Sequence, residues 1–477
     1  MLLTNTQNNT DIALIVSRSR YLAERLSSSV TTTDSIGSKN EAKITKRLEQ
    51  WCQIVAQGNF TKFEKRLAWA GLDMKTIRPL LVDNDRHLPQ PLPPWATTLA
   101  QVIEKAQTLS HEQRLAPQRY LDIKEPIPFE QIYLPCLQVA RNLLVKRVSG
   151  VKILADSVQA ALERQLLSQL SDVCTATLMT EFSAFRSSGN TTRDFILFNI
   201  INCNHQEKYY AFIQQLFADG LLSLFQKYSV LGRLVASTIN LWVDATGEFI
   251  EHLATDWSQI GQSFSAQQPL KQVVEIKSGL SDPHNGGRTV IILTFDTGMK
   301  LVYKPKNLRI EATFSQLLDW LNRQEQLLSF KVIQVLNYDT HGWVEYVESL
   351  PCKQEAEAQR FYQRSGMLLC LIHLIEGTDC HYDNLIANGE HPVLIDTETL
   401  FHHHHKISES IDGVESQVLA KQKLTESPLR TLMLPQWGLS TQDDLNIDLS
   451  GLGGREEQVG SALKWKNINT DSMKSEA

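Results

Sequence analysis

Cysteine is scarce and follows no pattern. The seven residues Cys52, Cys136, Cys174, Cys203, Cys352, Cys370 and Cys380 are odd in number, widely scattered and contain no C-x-x-C pair. They read as reduced thiols, which excludes a disulfide framework and a cysteine-based zinc module. No apolar run approaches the length of a membrane span, and the N-terminal MLLTNTQNNTDIALIV has neither a basic start nor a long apolar core. A membrane-spanning or secreted protein is therefore not expected, and the cytoplasm is the predicted compartment. Charge of one sign is also lacking. With 47 basic against 53 acidic residues the net charge is −6, so no global basic field favours nucleic acid as a partner.

What is present describes an ordinary globular protein: 477 residues, 42% hydrophobic and 21% charged, enough to bury a large core in two to four domains. Residues 1–45 are rich in Ser, Thr and Asn, with SSSVTTTDSIGSKN as a flexible segment. Helical spacing of Ile44, Leu48, Trp51, Ile54 and Val55 opens a helical region over 46–135, broken by LPQPLPPW and EPIPFEQIYLP because clustered prolines cannot continue a helix. Residues 136–265 read as a helical scaffold. Its apolar stripes are Leu154, Val158, Leu162, Leu166, Leu170 and then Leu231, Leu234, Ile239, Trp242, Phe249.

The period changes after Gly261. VVEIKSGL, TVIILTF, MKLVYKP, KVIQVLNY and GWVEYVE are short β-type runs separated by HNGG, DTG and DTHG, which predicts an antiparallel sheet of about five strands over 266–350. A helix with Phe314, Leu317, Leu318 and Leu321 on one face interrupts them. A second helix near 361–375 leads into the densest polar stretch of the chain, GTDCHYDNLIANGEHPVLIDTETLF at 377–401.

That stretch has a phosphoryl-transfer layout. Asp379 and Asn384 stand five apart, as D-x-x-x-x-N does in a kinase catalytic loop, and Asp396 follows a short hairpin. Asp379 would be the base for an acceptor hydroxyl, and Asn384 and Asp396 the Mg²⁺ ligands. On these residues alone a structural turn is the simpler account, because Asp and Asn also cap local backbone groups. The order of elements upstream favours the former. Lys304 ends a strand where a kinase places its phosphate-gripping lysine, and Glu311 opens the next helix as its ion-pair partner; an ordinary strand-edge lysine is the alternative. The turn SDPHNGGR falls where a phosphate-covering loop belongs. Gly286 and Gly287 permit close backbone approach, while Asp282 and His284 add an acid/base pair or simply complete a β-turn. The run His402–His405 reads as a solvent-exposed segment, since consecutive side chains diverge and cannot all share one ion.

With these residues assembled, the chain resembles the class II (LanM-type) lanthipeptide synthetases, specifically their N-terminal dehydratase half. The matching text is SDPHNGGRTV, KLVYKPKNLRIEATFSQLLDWLN, GWVEYV, FYQRSGMLL, TDCHYDNLIANGEHPVLIDTETLF, SPLRTLMLPQW, DLSGLGG and NTDSM. The resemblance implies an α+β fold: a lipid-kinase-like, two-lobed catalytic domain, its β-rich lobe at 266–350 and its second lobe at 351–477, preceded by a helical kinase-activating region. It implies ATP and Mg²⁺ as cofactors, no zinc, and a precursor peptide of leader and core as partner. Ser and Thr of that peptide would be phosphorylated and the phosphate eliminated to leave dehydroalanine or dehydrobutyrine. Carried over by position, Asp379 and His381 serve transfer, Asn384 and Asp396 hold Mg²⁺ with Glu398 close by, Lys304 binds phosphate, and Asp282 and His284 form an active-site pair. Thr470 matches a threonine linked to elimination. Lys464 stands where the family usually has an arginine, and lysine lacks the forked grip on phosphate. The family pattern continues past Ala477 into the rest of the dehydratase and a zinc-dependent cyclase, so the expectation is an incomplete second lobe, whether as a split-gene product with a separate chain carrying the remainder, a frameshifted remnant or a fragment. Alternatives are a peptide kinase without efficient elimination and an inactive remnant that only binds.

Overall fold

A computed structural model describes residues 2–27, 38–81, 92–110, 121–122, 124–148, 153–187, 206–265, 268–324, 328–401, 420, 423–424, 426–435, 437–439, 446–453 and 464–476. The run His402–His405 lies outside them. The chain forms two compact units, one of Met1–Arg147, Glu163–Thr246 and Trp465–Glu476, the other of Val148–Leu162 and Gly247–Lys464. Mixed helix and antiparallel sheet make the fold α+β, as the change of period predicts.

The first unit is helical. Helix Ser38–Ala56 buries Ile44, Leu48, Cys52 and Ala56 at four-residue steps against Phe63, Leu67 and Ile77. Ile54, expected in this stripe, is 82% exposed. The small Cys52 and Ala56 continue the i+4 row instead, which a reading weighted to large side chains passes over. Residues 2–18, expected within a flexible segment, form helix Leu2–Arg18, because Ile12, Ile15 and Val16 share one buried face despite the surrounding Thr and Asn. Phe129, Phe182, Tyr209 and Phe212 make an aromatic core with ring centroids 5.2–6.2 Å apart. The NTD motif is fastened into it. Asn469 Oδ1 accepts from the Phe129 N–H at 2.7 Å and the Tyr209 hydroxyl at 3.0 Å, and Asp471 Oδ1 accepts from the Tyr209 N–H at 2.7 Å.

The second unit holds the predicted sheet: β1 Val273–Lys277, β2 Ile291–Phe295, β3 Lys300–Lys304, β4 Val335–Asn337 and β5 Gly342–Glu345, antiparallel in the order β1-β2-β3-β5-β4. Alternation sets the buried face, with Ile291, Leu293 and Phe295 of β2 inward. Register pairs Tyr303 with Trp343 and Lys304 with Gly342. Helix Arg309–Asn322 buries Phe314 and Leu318, and helix Glu355–Leu374 begins before its expected start and buries Leu368 and Ile372. Both pack with Phe330, Cys380, Leu385, Leu394, Leu400 and Met433 into a core directly beneath the 377–401 stretch. There the predicted hairpin forms as β6 Leu385–Asn388 and β7 His391–Leu394.

Candidate active site

The loop before the hairpin is held in an uncommon conformation. Asp379 has φ +61°, a left-handed value that Asp tolerates better than most residues. The Asn384 side-chain amide donates to the Asp379 carbonyl at 2.9 Å and lies 3.1 Å from His381 Nε2, while His381 Nδ1 accepts from the Asp383 N–H at 3.2 Å. His381 Nε2 stands 3.8 Å from the Asp379 carboxyl, whose side chain is half-exposed. The five-residue spacing read from the sequence thus becomes a closed polar ring with one carboxylate facing solvent.

The later motifs brace this ring from behind. The Cys380 N–H donates to Thr431 O at 2.9 Å, the Tyr382 N–H to Leu449 O at 3.2 Å, and the Gly451 N–H to Leu432 O at 2.9 Å. Gly451 is required by space, since a Cβ there would stand 2.4 Å from the Cys380 carbonyl oxygen. Asp379 and Asp396 both flank Cys380, whose thiol burial and these two carboxylates push up to about 12.

On the sheet side, an ion cluster joins β3 to the end of β7. Lys304, 6% exposed, donates to Ile395 O at 2.6 Å and lies 3.9 Å from Glu311. Lys306 contacts Glu398 at 2.6 Å, Asp396 at 3.1 Å and Glu311 at 3.5 Å. Burial lowers the Lys304 ammonium, against the pull of Asp396 and Glu311. Burial acts on Asp396 to raise it, but the charges of Lys304 and Lys306 outweigh this and hold its carboxyl below the usual range. The structure therefore brings Lys304, Glu311, Asp396 and Glu398 together; Lys306 is the member that sequence reading missed, although its K-P-K context placed it beside Lys304.

The turn with Asp282 and His284 is a tight loop. His284 and Arg288 exchange backbone hydrogen bonds of 3.0 and 2.9 Å around Asn285, Gly286 and Gly287, all at positive φ. The two glycines are thus needed by the turn itself. Asp282 and His284 are exposed, and among the described residues neither hydrogen-bonds to the 379–398 ring. Arg288 is held by Glu248, Nε to Oε1 at 2.9 Å and Nη2 to Oε2 at 2.5 Å. Glu248 belongs to helix Ser229–Phe264, and further along that helix His252 Nδ1 lies 2.9 Å from the Tyr303 hydroxyl. One more turn on, Asp256 Oδ2 receives His341 Nε2 and the Trp343 indole N–H, each at 2.7 Å. The His252 and His341 rings stack at 3.6 Å and 5°. These three polar residues at i, i+4 and i+8 fasten the helix to the glycine turn, β3 and β5. Their only signal in the sequence is an acidic-imidazole-acidic spacing at four-residue steps along the helical scaffold.

Thr470 belongs to the first unit. The Thr470 hydroxyl donates to Asn467 O at 2.8 Å and accepts from the Ser472 N–H at 3.3 Å within its own turn, flanked by Asn467 and Asn469 at φ +52° and +60°. Lys464 opens the three-residue strand Lys464–Lys466, with Lys464 and Lys466 exposed, paired with Lys474–Glu476.

The donor set fits a magnesium ion better than a softer metal. Asp396 and Glu398 already converge on one cation, the Lys306 ammonium, and the Asn384 amide nitrogen is engaged, which leaves its oxygen as a ligand atom. Among the described residues no three His, Cys, Asp or Glu side chains form a metal cage. One or two carboxylates completed by water and phosphate oxygens are what Mg²⁺ ordinarily takes. Among the described residues no helix is long and apolar enough to cross a membrane.

Residues 228–477 match the family model described as a domain of unknown function, DUF4135. The lacticin 481/lactococcin biosynthesis protein LcnDR2 of Lactococcus lactis subsp. lactis is 26% identical over 280 residues, covering 55% of this chain and 29% of that protein. The chain thus spans well under two thirds of this relative's length. With the family model covering more than half of the sequence and a lacticin 481/lactococcin biosynthesis protein aligned over 280 residues, the chain belongs to the DUF4135 family, the LanM-type domain family of class II lanthipeptide synthetases.

Proposed function

We propose that the second unit is a kinase-like dehydratase domain that uses ATP and Mg²⁺ to phosphorylate Ser and Thr side chains of a precursor peptide and then eliminates the phosphate. The observation that carries this reading is the ion cluster of Lys304, Glu311, Asp396 and Glu398, beside the closed ring of Asp379, His381 and Asn384. A buried lysine paired to a helix glutamate, a loop carboxylate open to solvent and a carboxylate after the next hairpin are the parts that phosphoryl transfer needs.

Asp379, half-exposed and fixed by its loop, would accept the proton of the substrate hydroxyl as its oxygen attacks the terminal phosphorus of ATP. Asn384 and Asp396, with Glu398, would hold Mg²⁺, which supplies charge neutralisation at the phosphate oxygens when bound. Lys304 would contact those oxygens. In the second step a base removes the Cα proton, the electron pair forms the Cα=Cβ bond, and the Cβ–O bond breaks to release phosphate. Asp282 and His284, exposed on their turn, are the available acid/base pair. The net change in the peptide is loss of one water.

A second reading, a peptide kinase that stops at the phosphopeptide, is favoured by two specific features. Lys464 occupies the arginine position, and the Thr470 hydroxyl is engaged in its own turn. Incubation of the chain with ATP, Mg²⁺ and a Ser/Thr-rich precursor peptide, read by mass spectrometry, separates the two. Water loss is expected; phosphate gain alone supports the kinase reading. Asp379→Ala should abolish both products, and Thr470→Ala should leave phosphopeptide. No mass change with folded protein would overturn the proposal.

A further inference from the structure

The two lysines of K-P-K are not equivalent. Lys304 is 6% exposed and its ammonium donates to a backbone carbonyl, Ile395 O at 2.6 Å, so it cannot move without leaving a buried charge unpaired. The Lys306 side chain is 30% exposed and, among the described residues, bonded only to groups that a cation could also bind: Glu398 at 2.6 Å, Asp396 at 3.1 Å and Glu311 at 3.5 Å. Lys304 closes β3 and Lys306 follows in the bend after it, where Pro305 fixes the backbone between them, and both ammoniums reach Glu311.

We infer that Lys306 is a resident counter-ion of the Asp396–Glu398 pair, a positioning residue whose ammonium keeps the two carboxylates converged until a divalent cation displaces it toward the phosphates. The inference rests on the proposed function for the identity of those phosphates, and on geometry alone for the displacement. Asp396 and Glu398 are two residues apart and would repel one another without a cation between them. The Glu398 N–H donates to Asp396 Oδ1 at 3.2 Å, so the backbone contributes to the convergence, but Lys306 is the group that spans both side chains. With Lys304 and Lys306 against Glu311, Asp396 and Glu398, the cluster carries two positive and three negative charges. Withdrawal of Lys306 leaves a deficit of two, which a divalent cation fills. Lys306 thereby lowers the site's affinity for the free metal and frees an ammonium when the metal arrives with its nucleotide.

The test titrates Mn²⁺, as a paramagnetic substitute for Mg²⁺, into the full chain without nucleotide or peptide and follows the free-ion signal by electron paramagnetic resonance. Lys306→Met should bind Mn²⁺ about tenfold tighter than the native protein, because one neighbouring positive charge is gone. Lys306→Arg, which keeps the charge, should stay within about threefold of native, and Asp396→Asn should remove the binding in either background. In the presence of Mn²⁺, Lys306→Met should then bind ATP about tenfold more weakly. Unchanged or weaker Mn²⁺ affinity in Lys306→Met, with Lys306→Arg binding like the native chain, would overturn the inference and leave the proposed function standing. Tighter binding in Lys306→Arg as well would overturn it too, since charge would not be the cause. Absence of any Asp396-dependent Mn²⁺ binding overturns both. Tighter Mn²⁺ binding in a protein that never modifies a peptide would sink the proposed function and retain the displacement.

Discussion

Asp256→Ala tests whether the helix Ser229–Phe264 positions the sheet that carries Lys304. One carboxyl oxygen accepts both the Trp343 indole N–H and His341 Nε2–H at 2.7 Å. Trp343 is 0% exposed, so its N–H has no water to turn to, and an unsatisfied buried donor costs about 1–3 kcal/mol. His341 can recover part of its loss by changing tautomer, because its Nδ1 lies 3.2 Å from the Thr340 hydroxyl. The combined cost is then about 2–4 kcal/mol, a rise of roughly 30-fold to 1,000-fold in the local opening constant. Hydrogen–deuterium exchange of β3 and β5, where Tyr303 pairs with Trp343 and Lys304 with Gly342, reads this directly. Asp256→Asn retains an acceptor for both donors and should lose only about 1 kcal/mol. Exchange in Asp256→Ala within about threefold of native, or an equal loss in Asp256→Asn, would refute the satisfaction argument.

Three further outcomes are expected. Asp396 has a folded pKa below its unfolded value of about 3.9, so its contribution to stability is complete above that pH and is lost as pH falls through the folded value. The His252 pKa is also lowered, by burial and then by His341; its contribution is complete above about pH 6.5 and declines as pH falls. Urea midpoints from about pH 2 to about pH 8 should therefore show two acid-side losses, the Asp396 loss below about pH 4 and the His252 loss nearer neutrality, and His252→Gln should remove the second. Gly451→Ala forces a Cβ against the Cys380 carbonyl oxygen at 2.4 Å and should cost about 1–3 kcal/mol while lowering the proposed phosphorylation at least about tenfold; a native rate would show that the 448–453 segment does not brace the loop. Asn469→Ala strips the Phe129 N–H of its acceptor, while the Tyr209 hydroxyl keeps Gln131 Oε1 at 2.7 Å, and should destabilise the first unit by about 1–3 kcal/mol, whereas Thr470→Ala should change its melting temperature little. Equal destabilisation by both would contradict the assignment of Asn469 as the fastening residue.

Patterning by itself determined the sheet and the loop. Period-two runs between Gly-rich turns specify five strands whatever their neighbours, because one face must be apolar. D-x-x-x-x-N followed by a hairpin and an Asp closes into the ring of Asp379, His381 and Asn384 through contacts no more than five residues apart. Local sequence is sufficient for contacts of that range. Tertiary structure decided the rest. Which lysine of K-P-K is locked and which is exchangeable depends on Ile395, Asp396 and Glu398, some 90 residues away, reaching β3. Glu248, His252 and Asp256 look like interruptions of an apolar stripe until the sheet supplies Arg288, Tyr303, His341 and Trp343 as partners. The NTD motif drew attention to its threonine, while burial made the flanking Asn469 and Asp471 the residues that hold it. A polar side chain's role is set by the partner that satisfies it once water is excluded, and that partner is fixed only when distant segments pack.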